Sequence, residues 1–359
     1  MDASIEKLAT FQHARVVYTP FAAPPGAQFV LTADPWSFLT ATINQKLSAH
    51  PRGANRERLE RALYYTDLAE SFYAAAKEIG LPAKGTLAYY GILNLVKAYL
   101  SISGVDLETS VEHHGLSLVQ GEKQKIQIAS PAANVINIFH EFARLLGKPV
   151  TGRSALSLEE LSGHIPEIHE MAFTLGHLPG SKRGFLLVDI RFLMSNSDSH
   201  IYTEIAYEKK QLNRVDISKF LRGPRKAYFQ SDKDLGAELV HRSQRRKTFE
   251  WGHVPRKYSN ICREYAAFDL ASILTPDGYR YYCDLRSPTL HHLSYSLILM
   301  FYVGTAARYR PSEMVELLAS DKRPLVAEAL AVIPGQMLYH LISLCTGRNC
   351  VVPHSAIAS

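Results

Sequence analysis

The sequence predicts an α+β fold that is mainly α: a helical bundle, a small antiparallel β insert, and C-terminal helices that pack back on the bundle. Three observations predict it. Apolar-periodic segments of helical length dominate residues 56–180 and return after residue 289. Between them, residues 181–288 switch to short runs rich in β-branched and aromatic residues, bounded by turn formers. The composition, 47% hydrophobic and 21% charged over 359 residues, suits one or two packed domains. It excludes a disordered chain, a collagen-like fibre and a disulfide framework.

Residues 1–55 read as an irregular segment followed by a short helix. Pro20, Pro24, Pro25 and Gly26 interrupt any helix before residue 30, whereas Asp34-Pro35-Trp36 supplies a cap and a first-turn proline. Residues 56–79 space Leu59, Leu63, Leu68, Phe72 and Ala75 for an amphipathic helix, which Gly80-Leu81-Pro82 stops. Residues 86–103 are apolar nearly all round, so they predict a central helix ended by Gly104. Residues 135–146 predict a third helix ended by Gly147, and residues 157–164 and 167–175 two shorter ones around Pro166. In the insert, residues 184–194, 201–207 and 225–229 read as strands. Residues 267–274 and 279–285 flank Pro276-Asp277-Gly278 as a hairpin. Residues 290–309, 311–318 and 324–346 return to helix.

The net charge is only +6, but residues 209–263 carry 15 Lys or Arg against 5 Asp or Glu, and the remainder is slightly acidic. A basic middle on an acidic body suits a polyanion partner or, equally, a solvated face. Within it, Arg242, Arg245, Arg246, Lys247, Arg256 and Lys257 alternate with Phe249, Trp251 and Tyr258. Cations hold phosphate and aromatic rings stack bases, so these six are the candidate nucleic-acid-binding residues.

Four cysteines without a C-x-x-C pair predict no thiolate zinc site and suit a reducing compartment. No metal and no cofactor are expected. The N-terminus lacks an apolar stretch, so no signal peptide is expected. The apolar run 290–307 contains His291 and His292 and is closed by Arg308, which reads as a buried helix rather than a membrane span. No P-loop, dinucleotide-binding glycine fingerprint or G-x-S-x-G elbow is present.

Polar groups on the central helix form a second candidate. Tyr90, Asn94 and Lys97 fall at i, i+4 and i+7, one polar stripe on an apolar helix. It is either an internal network or a pocket wall in which Lys97 holds phosphate or carboxylate. Arg308 and Arg310 flank Tyr309 before Pro311. They suit helix capping, and a guanidinium there also suits an anion clamp. His114, before Gly115, is a loop histidine that could act as a base near neutral pH.

Three segments resemble the YaaC-like family of bacterial proteins: residues 62–104 followed by His114-Gly115, residues 156–168, and residues 302–318. The resemblance implies a soluble cytoplasmic protein and no particular reaction. The first segment is also similar to the helical core of HEPN domains, with A-x-x-F-Y-x-A-A at residues 69–76 and Y-Y-x-x-x-N-x-x-K-A at residues 89–98. That likeness implies a HEPN-like bundle over residues 56–180, a homodimer, and in some members metal-independent RNA cleavage by an Arg and a His. Arg348 and His354 fit the spacing of that pair, with Pro353 between them; His114 with Arg308 is another pairing.

Three readings of function follow. The first is a cytoplasmic interaction or scaffold protein with a polyanion-binding surface, serving a phage-defence complex and partnered by another protein or a nucleic acid. The second is a HEPN-type metal-independent endoribonuclease. The third is a nucleotide-binding protein. No membrane partner is expected.

Overall fold

A computed structural model describes residues 7–11, 13–21, 29–109, 111–195 and 200–353. Its helices, in chain order, are α1 (Pro35–Ala49), α2 (Ala54–Glu78), α3 (Ala83–Ile102), α4 (Ile138–Leu145), α5 (Leu158–Gly163), α6 (Pro166–Thr174), α7 (Gly223–Tyr228), α8 (Val254–Ala266), α9 (His292–Tyr309), α10 (Pro311–Ala319) and α11 (Arg323–Thr346). The chain divides into two compact units. A helical unit takes Thr32–Pro179 and Thr289–Thr346, and a sheet unit takes Met1–Leu31, Gly180–Pro288 and Gly347–Ser359.

In the helical unit, α3 lies against α2, α9 and α11. Its all-round apolar sequence requires that burial: Ile92, Leu95, Val96, Ala98 and Leu100 are fully enclosed. Glycines let α3 and α9 approach closely. A Cβ on Gly304 would sit 2.8 Å from Tyr89 Cβ, and one on Gly85 2.6 Å from Val303 Cγ1. Thr86 Oγ1 donates to the Gly304 carbonyl at 3.1 Å across the same contact. Short strands complete the unit. Val111–His113 pairs in parallel with Val135–Asn137, and Leu116–Leu118, Lys125–Ile128 and Ser154–Ser157 form an antiparallel set. The helix expected from residue 135 therefore begins at Ile138, after the strand. Ser157 and Glu160 close a capping box that starts α5.

The sheet unit corrects the expected fold class. Among the described residues, 50% are helical and 22% lie in strands. What was expected as a small β insert is an eight-stranded antiparallel sheet, so the protein is not a mainly helical bundle. The order runs Phe229–Asp234, Glu238–Ser243, His200–Glu208, Phe185–Met194, Gly278–Asp284, Leu270–Thr275. Lys7–Leu8 adds to Phe185–Met194, and Phe249–Glu250 to His200–Glu208. The hairpin forms with Thr275 opposite Gly278. Residues 225–229, expected as strand, lie mostly in α7. Tyr258, Ile261, Cys262 and Tyr265 of α8 join Leu186, Ile190, Phe192, Ile201 and Ile205 of the sheet in one core. Phe29–Leu31 and Asn349–Val351 pair in parallel, fastened by the Thr19 hydroxyl donating to Asn349 Oδ1 at 2.5 Å.

Candidate functional site

The helical unit brings four of the predicted residues, Tyr90, Lys97, His114 and Arg308, to one place beside the turn after Val111–His113. Gly115 sets that turn. Its φ of +81° favours glycine, and a Cβ there would fall 1.7 Å from Asn137 Oδ1. The His114 carbonyl accepts from Phe139 N at 3.2 Å, which holds the backbone. Its ring Nδ1 meets the hydroxyl of Tyr89 at 2.9 Å. Tyr89 is itself only 2% exposed, wedged beneath Gly304 and edge-on to Phe301. Partial desolvation, aided by the positive charges of Lys97, His113 and Arg308, lowers the His114 pKa from its usual value.

Tyr90 stacks on Phe72 at 5.4 Å. Its hydroxyl accepts from the Arg308 guanidinium, which also lies 4.9 Å from the Tyr90 ring centroid and 4.7 Å from that of Tyr309. Arg308 is exposed and forms no ion pair among the described residues. Lys97, by contrast, is neutralised by Glu112 at 2.8 Å and lies over the Tyr65 ring. Glu112 is positioned in turn by the Glu108 backbone N–H, which donates to it at 2.6 Å.

Asn94 is turned back on its own helix, with Nδ2 donating to the Tyr90 carbonyl at 2.9 Å. Arg310 is structural: it donates to the carbonyls of Val119 and Glu122 and pairs with Glu313 at 3.2 Å. Thus the polar stripe is an internal network at Asn94 and Lys97, and the capping explanation fits Arg310 but leaves Arg308 unengaged by any acid. The sequence reading did not select Tyr89 or His113. The i, i+1 pair Tyr89-Tyr90 on an apolar helix was the available signal.

The predicted basic residues fall on the sheet unit and divide into two groups. Arg242 stacks 4.0 Å from the Tyr202 ring and pairs with buried Glu204 at 2.8 Å. Lys247 pairs with Glu264 at 2.9 Å. The others are exposed. Arg246 donates to the Ala227 carbonyl, whereas Arg245, Arg256 and Lys257 have no acid partner among the described residues. Arg222, Lys226 and Arg263, which the sequence reading did not single out, join them. These residues lie on three adjoining segments: α7 with Arg222 as its N-cap residue, the turn Arg245–Lys247, and α8. Gln244 N donates to the Tyr228 carbonyl, and the Lys247–Glu264 pair ties the turn to α8. Trp251, just before α8, is 42% exposed, with Nε1 held by the Thr10 carbonyl.

Arg348 lies at the edge of the strand Asn349–Val351 in the sheet unit, and its proposed partner His354 lies outside the described residues. A cavity of about 300 Å³ opens on the sheet, lined by Asp189, Arg191, Gln211, Glu238, Arg280 and Tyr281 among others. Its polar groups are matched internally: Arg191 forms two bonds to Glu238 and one to Asp189, and Gln211 bonds both backbone groups of Leu187. No cluster of His, Cys, Asp or Glu suited to a metal occurs among the described residues. All four cysteines are buried thiols, and burial pushes Cys262 up to about 11.

Among the described residues one helix, α11, is long and apolar enough to cross a membrane, and half of its most apolar window is packed inside the protein. A family model described as YaaC-like Protein matches residues 20–345. Neither a curated protein nor a solved structure matches the chain. The likeness of residues 62–104 to a HEPN core therefore stays a resemblance of sequence.

Proposed function

We propose that this chain, which belongs to the YaaC-like family, binds single-stranded nucleic acid through the basic face of its sheet unit. One observation carries the reading: seven cations without acid partners among the described residues (Arg222, Lys226, Arg245, Arg246, Arg256, Lys257 and Arg263) lie on or directly before three adjoining segments, and exposed Trp251 immediately precedes one of them, α8. Unneutralised cations release counterions when they meet phosphates, and an exposed indole offers a stacking face that is sequence-tolerant. A solvated basic face would need no such ring. We place the protein in the cytoplasm, a location that four buried cysteines outside any disulfide suit.

The test is fluorescence anisotropy with labelled single-stranded and duplex oligonucleotides across a salt series. Single strands should bind more tightly than duplex. The triple variant Arg256→Ala, Lys257→Ala, Arg263→Ala should lower the slope of log affinity against log salt by about 2, at roughly 0.7 per lost contact. Trp251→Ala should weaken single-strand binding without changing that slope. Equal binding by the triple variant and the parent protein would sink the reading.

A further inference from the structure

We propose that Arg308 and His114 of the helical unit form a binding site for a terminal phosphoryl group, such as that of a nucleoside monophosphate. The site is separate from the basic face of the sheet unit and does not depend on it.

Arg308 is a fixed cation that no acid engages among the described residues. Its NH1 is anchored on the Tyr90 hydroxyl and its plane is flanked by two rings, Tyr90 and Tyr309. The remaining guanidinium donors face no protein acceptor among the described residues. A guanidinium held this way is suited to an oxyanion, which accepts from its planar fork.

The second donor is His114. Burial keeps the Tyr89 phenol protonated, and that phenol's one hydrogen-bond partner among the described residues is His114 Nδ1. When the phenol donates to Nδ1, the imidazole proton sits on Nε2. Nε2 has no protein partner among the described residues, and the His114 side chain is exposed, so this N–H faces outward.

The two-pronged guanidinium of Arg308 together with the His114 imidazole matches a group with three equivalent acceptor oxygens and two charges better than a carboxylate with two oxygens and one charge. The surroundings are pre-organised rather than loose. Gly115, the Phe139 N–H and the Tyr89 hydroxyl fix His114, and Phe72 fixes Tyr90. Lys97 sits nearby but is held by Glu112, so it is not a direct ligand.

Histidine-labelled protein titrated by NMR tests the assignment, with Arg308→Gln and Arg144→Gln as variants. Arg144 is an exposed arginine of the same unit paired with Glu141, so it controls for general loss of charge. The probes are inorganic phosphate, adenosine 5′-monophosphate, and the dinucleoside monophosphate ApA, whose phosphate is an internal diester. Adenosine 5′-monophosphate and phosphate should raise the pKa of His114, since a bound dianion favours imidazolium. Arg308→Gln should weaken that binding at least tenfold, and Arg144→Gln by less than twofold. Should Arg308→Gln disturb folding, Tyr90→Phe removes the anchor alone and should weaken binding severalfold. An unmoved His114 titration, or unchanged affinity in a folded Arg308→Gln protein, overturns the site. ApA binding as tightly as the monophosphate overturns its assignment to a terminal phosphoryl group.

Discussion

Lys97 and Arg308 stand at one corner of the helical unit, yet they differ in what they can do. Lys97 ends on Glu112, a carboxylate delivered by a strand that begins only after the α3 helix has ended. Arg308 ends on a phenol and two aromatic faces, none of which cancels its charge. The sheet unit repeats the contrast: Arg242 lies on buried Glu204, while Arg256 and Lys257 are exposed with no acid partner among the described residues. In both units, sequence density of Lys and Arg is a poor guide to available charge. What decides availability is whether the tertiary fold brings a carboxylate to the cation, and a cation held by aromatics or left in solvent remains open to a ligand.

The sharpest way to break the comparison is to remove the packing that supports the Arg308 corner. Gly304→Val places a branched side chain where even a Cβ would lie 2.8 Å from Tyr89 Cβ and 3.0 Å from the Gly85 carbonyl oxygen. Neither neighbour is the end of a flexible chain, so α3 and α9 must separate. We expect a loss of about 3 kcal/mol in urea unfolding, with loss of the Tyr89 anchor on His114. Unchanged stability would mean that the close helix approach is not needed.

Two buried titrating groups in the helical unit oppose each other and sharpen the same point about charges without partners. Burial, with Lys148 and His340 nearby, pushes His291 down to about 3, so the folded state excludes its proton. Its contribution is complete above the unfolded pKa of about 6.5 and is lost as pH falls below it. Glu167 runs the other way. Burial raises it to about 7, and its Oε2 has no hydrogen-bond partner among the described residues. Its contribution is complete below about 4.3 and is lost as pH rises towards 7. The parent protein therefore shows a shallow sum of the two. Glu167→Gln should raise stability by up to about 3 kcal/mol at pH 8, with the gain vanishing at pH 4.5. His291→Asn, which keeps an acceptor for the Leu293 N–H, should instead gain by up to about 2 kcal/mol at pH 5 and little at pH 8. Melting curves at these three pH values check both; parallel profiles for the two variants would contradict the assignment.

How much of this was legible depends on where each partner lies in the chain. Helix α3 announces itself because its burial needs only its own apolar sequence. The sheet does not: His200–Glu208 reads as one strand, but its size depends on strands from residue 7 to residue 284 that pair only after folding. Helix α8 hides its stripe, Tyr258, Ile261, Cys262 and Tyr265 at helical spacing, among cations that draw the eye to a charged loop. The stripe Tyr90, Asn94 and Lys97 was legible as a set, whereas Glu112, which decides the fate of Lys97, was not. His114 and Arg308 could be picked singly, but Tyr89, which orients the imidazole, is an apolar-helix tyrosine like several others.

The smallest effects separate structural from available cations within the basic stretch itself. Arg242→Ala would strand Glu204, a carboxylate that is 5% exposed, and strip the face of Tyr202. The remaining solvent access of the arginine limits the loss, so we expect about 1–2 kcal/mol of stability. Arg256→Ala breaks no contact with an acid and should change stability by less than about 0.5 kcal/mol. The order reverses for single-stranded oligonucleotides. There Arg256→Ala should lower the salt slope by about 0.7, because that charge is free to release counterions, and Arg242→Ala should leave the slope unchanged in protein that remains folded. Paired urea and anisotropy measurements on the two variants would decide it. If both variants shift stability and binding alike, the division of the basic stretch by acid partnership is wrong, because availability of charge would then follow sequence density after all.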